Sequence, residues 1–384
     1  MTDDTGTDDG PIDRRATMRR RAFLALGSGL AAGTALSGAV GGASTRDRPN
    51  RQETTTGNET AGPQRTTVED RPEGVYVQPF LESMSMQGTA EVGDYAVALL
   101  YTVPHVFWTV TGSDRSRQPL SPDASAHVMA QVWDPETDTV LPEAGLSIEI
   151  TRDGELVSEE VIYPMLSQRM GFHYGGNFTL DGDGTYGVRV SVGGLQIPRT
   201  GAFEGRFGEP ATAELELTFT EATRSEIRIR EIDQAGERGA LRPMEMEALP
   251  LGRAPAPEEL PGSVVGTAES GDARFAVSRV PADEAGRFTD GEPYLLASAR
   301  TPYNDLVLPM MGVEAAVTRD GETAFEGRLE RTLDPEAGYH YGAAVPGLAA
   351  GDTVALSVST PPQVARHQGY ETAFLDMPEM ELTV

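Results

Sequence analysis

The sequence predicts an all-β protein built as two tandem immunoglobulin-like β-sandwiches, and three observations carry that prediction. From Gly74 onward, short apolar runs alternate with Gly, Asp and Pro turns, the spacing expected of sandwich strands. No long window shows the apolar stripe of a helix, and only 224–235 comes near one. Past a stretch rich in Pro, Glu and Arg, the same pattern starts again with many of the same residues.

Residues 1–44 resemble a twin-arginine export signal: Arg14-Arg15 and Arg19-Arg20-Arg21 stand directly before a Gly- and Ala-rich apolar run. Its many glycines favour a signal over a membrane-spanning helix, and either reading places the bulk of the chain outside the cytoplasm. Residues 45–72 have almost no large apolar side chain and read as a solvated tether that keeps the first domain near the membrane. The first sandwich spans 73–221, with strands expected over 95–103, 127–133, 146–151, 155–162, 186–192 and 213–219. Asp153-Gly154 marks a tight hairpin between two of them. Residues 222–262 form a linker that ends in Pro255, Pro257 and Pro261 and is expected to be extended and stiff.

The second, degenerate repeat spans 263–384. The run 88–94 returns almost unchanged as 266–272. Beyond it the copies stay in one frame, since His127 to Tyr294 and His173 to His340 are both steps of 167 residues. In that frame Leu141-Pro142, Gly145, the run 151–155, Gly171 and His173-Tyr174-Gly175 all recur.

Composition excludes several functions. With 59 acidic against 31 basic residues the net charge is −28, and every basic residue is arginine, so a phosphate backbone would be repelled and nucleic acid is not a partner. Such self-repulsion is relieved in molar salt, where the screening length falls to about 3 Å, which suggests a salt-adapted protein. The absence of cysteine removes disulfides, thiolate metal sites, a cysteine nucleophile and a lipid-anchor motif. Asp181-Gly182-Asp183-Gly184 lacks the spaced ligands of a calcium loop and reads as a turn. Patterns for a serine triad, a phosphate-binding loop or a zinc-protease helix are missing.

What remains is a soft donor set. In a strand over 127–133, Val128, Ala130 and Val132 would face the core, while His127, Met129, Gln131 and Trp133 share the other face. The segment 163–177 adds Met165, Met170 and His173. Imidazoles and thioethers together suit Cu(I), and suit Cu(II) or Fe(II) only with added oxygen ligands. In the second repeat the corresponding residues are Tyr294, Leu296, Thr332 and Ala337 for His127, Met129, Met165 and Met170, while His173 persists as His340. Each residue also has a structural reading: methionines fill cores, and a recurring histidine can simply bond a neighbouring loop. Met84, Met86 and His105 are further donors within reach, His105 in a loop beside aromatic packing.

Tyr163-Pro164-Met165 followed by His173-Tyr174-Gly175-Gly176-Asn177 resembles the periplasmic iron-transport protein family, copper- and iron-binding β-sandwich proteins that assist iron permeases. The two-domain outline is similar to haloarchaeal proteins grouped with that family. The resemblance covers mainly residues 80–220 and faintly 263–384, and implies that Met165, His173 and His127 are metal ligands. It departs where the family has a glutamate and an aspartate, here Met129 and Gln131. The family's later Arg-His pair has no match in the first repeat and looks like Arg366-His367 of the second, where His367 and His340 could form a residual site.

The reading that follows is an exported, non-enzymatic metal-binding protein that captures copper, or iron, through His127, Met129, Met165 and His173 with Met170 in reserve. It would pass the ion to an iron permease or another membrane acceptor, as a monomer or a homodimer. The alternatives are a structural or adhesion module of the cell envelope without metal and, more remotely, a small redox enzyme at a copper centre.

Overall fold

The computed structural model describes Val68 and residues 71–384; the twin-arginine segment and nearly all of the tether lie outside the described residues. The first repeat contributes β1 (Phe80–Glu82), β2 (Ser85–Val92), β3 (Tyr95–Thr102), β4 (Phe107–Thr111), β5 (Asp114–Gln118), β6 (Ala126–Trp133), β7 (Leu146–Arg152), β8 (Glu155–Val161), β9 (Tyr163–Ser167), β10 (Gly171–Phe178), β11 (Gly184–Val192) and β12 (Ala211–Phe219). One layer has the order β2-β3-β6-β10-β9 and the other β12-β11-β7-β8. Alternate residues of both layers, such as Val128, Ala130 and Val132 against Ile148, Ile150, Val188 and Val190, bury into one core.

The linker holds α1 (Glu221–Ser225) and β13 (Ile229–Glu231). The second repeat follows with β14 (Ser263–Ser270), β15 (Ala273–Val280), β16 (Tyr294–Arg300), β17 (Gly312–Arg319), β18 (Glu322–Asp334), β19 (Gly338–Ala344), β20 (Thr353–Thr360), β21 (Ala365–Arg366) and β22 (Met380–Thr383). Its long strand β18 pairs with β17 through its first half and with β19 through its second, so one strand turns the corner between layers. The first repeat takes the same path with β8 and β9, interrupted at Ile162. The fold class is therefore all-β with sandwich-like domains, as the alternation of apolar runs and turns predicts.

Register repeats as well as sequence. Asn177 pairs with His127 across β10 and β6, and Ala344 with Tyr294 across β19 and β16. Met165 pairs with His173, and Thr332 with His340. The hairpins at Asp153-Gly154 and Asp320-Gly321 have positive φ at both central residues (52° and 84°, 51° and 83°), the turn whose twist matches the flanking strands.

The repeats also exchange segments. β21 of the second repeat enters the first repeat's sheet, parallel to β9 and antiparallel to β4, with the His367 amide donating to Leu166 O at 3.1 Å. In return Arg199 forms a parallel bridge with Leu333, and the Thr200 amide donates to Leu333 O at 3.0 Å. Arg199 and Arg366, like Leu166 and Leu333, are again 167 residues apart, so the two contacts match in position.

Two expectations are corrected here. Helix in the 224–235 window is confined to the short α1, capped by Thr220, after which β13 pairs with β1. The linker, expected as a stiff spacer, is pinned along its length: Leu241 N donates to Gln168 Oε1, Gln131 Nε2 donates to Pro250 O at 2.6 Å, and Val307 N donates to Gly252 O. The Pro250 contact helps cover the second face of β6 at Gln131, where alternation alone predicts one buried face.

Candidate metal centre

Five secondary elements converge on the outer face of β6. β6 supplies His127 and Met129, β9 supplies Met165, and β10 supplies His173. The β3–β4 connection supplies His105, and the residue after β21 supplies His367. His105, His127 and His367 can each offer a ring nitrogen within 4.8 Å of the other two. His105 Nε2 lies 3.0 Å from His367 Nδ1, and His367 Nε2 lies 3.3 Å from Met165 Sδ. The ring of His367 stands 4.8, 5.6 and 5.1 Å from those of His105, His127 and His173. Gly175 makes room at the centre: a Cβ there would meet His127 Nε2 at 2.9 Å, Met165 Sδ at 3.2 Å and Met129 Cγ at 3.3 Å.

Protein oxygens fix the imidazoles in one tautomer. Asn177 donates its Nδ2 to His105 O at 2.9 Å, which turns its Oδ1 toward His127 Nδ1, also at 2.9 Å. A neutral His127 therefore carries its proton on Nδ1 and its lone pair on Nε2. His105 Nδ1 lies 3.2 Å from both Val103 O and Glu82 Oε1, and His173 Nδ1 lies 3.0 Å from Gly171 O, so both rings are oriented the same way. An oxygen acceptor on Nδ1–H is what usually holds the ring of a metal-bound histidine in place. Burial also keeps rings neutral: it pushes His173 down to about 4, and burial with His173 and His127 nearby holds His367 well below the usual histidine range. The result is a set of Nε2 lone pairs beside a thioether in a largely buried pocket, an N/S donor set that fits a soft or borderline metal ion.

His127 and Met165 stand within this set. Met129, Met170 and His173 line a cavity of about 60 Å³ that adjoins it, together with Met84, Glu82 and His105. Met86 instead packs against the main core. Two histidines depart from the sequence-based expectation. His105, a loop residue beside aromatics, joins the cluster because Pro104 and Asn177 hold its backbone against β10. His367 does not meet His340 as a residual second site. The segment exchange carries it into the first repeat, while His340 bonds Tyr294 inside the second. The Arg366-His367 pair signals its own importance in sequence, but not which repeat receives it.

A family model described as a domain of unknown function (DUF7350) matches residues 258–383, the second repeat. No curated protein matches the chain. Among solved structures, the chain is similar to as-isolated FetP of uropathogenic Escherichia coli strain F11 at 19% identity and a TM-score of 0.28, covering 36% of this chain and 97% of that one. A copper-bound Glu-to-Gln variant of the same FetP follows at 18% identity and 0.26, with the same coverage. A copper-bound Glu-to-Gln variant of Campylobacter jejuni P19 is similar at 16% identity and 0.28, covering 36% of this chain and 98% of that one.

Proposed function

We propose that the chain is an exported metal-binding protein that captures a copper ion, Cu(I) foremost, between its two repeats and hands it to a membrane acceptor such as an iron or copper permease. The observation that carries this reading is the convergence of His105, His127 and His367 beside Met165, with the Nδ1 atoms of His105 and His127 tied to oxygen acceptors. Three imidazoles and a thioether stabilise the lower oxidation state of copper without adding charge, whereas Fe(II) is better served by oxygen ligands. The residues of the iron-transport motif in 163–177 supply part of this set, and His367 supplies what the first repeat lacks. The adjoining cavity, about 60 Å³, has room for an ion and a water. The arginine-rich start of the chain supports export by the twin-arginine route.

The test is anaerobic Cu(I) titration against a chromophoric competitor in a chloride-free molar salt, on the wild type and on His127→Ala, His367→Ala and Met165→Leu. A tight equivalent weakened by each substitution at unchanged unfolding midpoint supports the reading. Affinity indifferent to all three refutes it.

A further inference from the structure

The cavity beside the histidine cluster has a chemistry of its own. Its walls include the thioethers of Met84, Met129 and Met170 and the ring of His173. His173 Nε2 is buried with no hydrogen-bond partner among the described residues. Because Nδ1 faces Gly171 O at 3.0 Å, the atom left open is the basic nitrogen. A buried acceptor deprived of a donor is costly, so such an atom calls for a ligand. The second repeat shows how the same atom is otherwise satisfied: His340 keeps the bond from Nδ1 to Gly338 O, and its Nε2 lies 3.2 Å from the Tyr294 hydroxyl. In the first repeat no tyrosine fills that place, and His173 lies outside the trio of His105, His127 and His367. Met84 and His367, both only half-buried, stand at the solvent side of the cavity, and Met129 and Met170 lie deeper.

We propose that this cavity is a second metal position, a soft site formed by His173 Nε2 with the thioethers of Met129, Met170 and Met84, which takes Cu(I) and passes it to the histidine cluster, whose His105 and His367 share its walls. The inference rests on the function proposed above and extends it from one position to two. One nitrogen and up to three thioethers select a soft monovalent ion and give little hold to Cu(II) or Zn(II), whose preferred partners are nitrogen, oxygen and thiolate. Each step exchanges one neutral ligand for another, so the ion moves without any change of redox state or proton count.

The test uses the full chain and Cu(I) itself, titrated against competitors of graded strength, with methyl-¹³C methionine NMR as a second readout. Two equivalents are expected, the weaker one shifting the methyls of Met129 and Met170. Met129→Leu/Met170→Leu, a volume-conserving pair, should remove the weaker equivalent and spare the tight one. His127→Ala, whose ring does not line the cavity, should do the reverse. A single equivalent in the wild type, or a second one indifferent to the methionine pair, overturns the proposal. Should the tight equivalent ignore the loss of His127, the failure would belong to the histidine cluster, and the methionine variants would still decide the second position. Unchanged unfolding midpoints and methyl spectra of the apo variants separate loss of binding from loss of fold.

Discussion

The same point in the two repeats is the proposed metal centre in one and a plug in the other. Backbone and register are shared: Gly175 faces Met129 as Gly342 faces Leu296, and both repeats keep a histidine whose Nδ1 bonds the carbonyl two residues before it. Side chains diverge at most positions that would touch an ion, His173 being the one that persists, as His340. Tyr294 replaces His127, Thr332 replaces Met165, Ala337 replaces Met170, and Thr200 stands where His367 stands across the exchange. Asn177, which orients two histidines, becomes Ala344. In the second repeat the Tyr294 ring lies over Gly342, its hydroxyl meets His340, and Phe288 stacks on it at 4.6 Å and 8°. The sandwich thus determines where a pocket forms. A few side chains then decide whether the buried lone pair is satisfied from within the protein or kept for a ligand.

The largest effect expected from this contrast is on folding. Tyr294→Ala empties the plug and should cost about 3–5 kcal/mol in chemical denaturation, the range for buried aromatics. Copper affinity should stay within about twofold, because Tyr294 touches none of the first repeat's histidines. A large drop in affinity would show that the repeats are coupled beyond the exchanged segments.

Acid should separate the repeats next. Burial pushes His340 down to about 4, whereas a histidine in the unfolded chain titrates near 6.5. Between those values the unfolded chain holds the extra proton. Stability is therefore intact above about 6.5 and is lost as pH falls toward 4, by on the order of 3 kcal/mol for this group. His340→Gln should flatten that acid limb, measured as the denaturant midpoint against pH. His173, also pushed down to about 4, contributes a like limb that bound Cu(I) should steepen, since the ion competes with the proton for the same nitrogen. An acid limb unchanged by His340→Gln would remove burial of that ring as its cause.

Much of the fold and half of the centre were legible in sequence. Asp153-Gly154 and the 167-residue frame led to the hairpins and to the register that places Met165 beside His173. Alternation on 127–133 put His127 and Met129 on one face, yet it could not foresee that the linker and β21 would cover that face. The destination of His367 stayed hidden because it reaches Met165 across 202 residues through an exchange that neither arm, Arg199-Thr200 or Arg366-His367, reveals in sequence. His105 lies outside any strand, where periodicity says nothing about direction.

A smaller effect tests the orienting shell. Asn177→Ala makes the first repeat like the second at this position and releases both His127 Nδ1 and the His105 carbonyl. Loss of such a partner lowers metal affinity by about 10–100-fold. The competitor titration should show that loss, with the tight equivalent still present. Unaltered affinity would mean that packing alone orients the rings.

The smallest effects should be equal ones. Gly154 and Gly321 sit at φ 84° and 83° in matching hairpins, and neither has an atom within 4 Å of where a Cβ would stand. Alanine at either position therefore meets no clash and pays only the left-handed backbone strain, about 1–2 kcal/mol. Since neither turn contains any of the residues that differ between the proposed metal centre and the plug, the two variants should lose the same stability, and neither should alter copper affinity. A clear inequality in their denaturation midpoints would locate a mechanical difference in the frame itself, and the divergence of the two pockets could then no longer be assigned to their side chains alone.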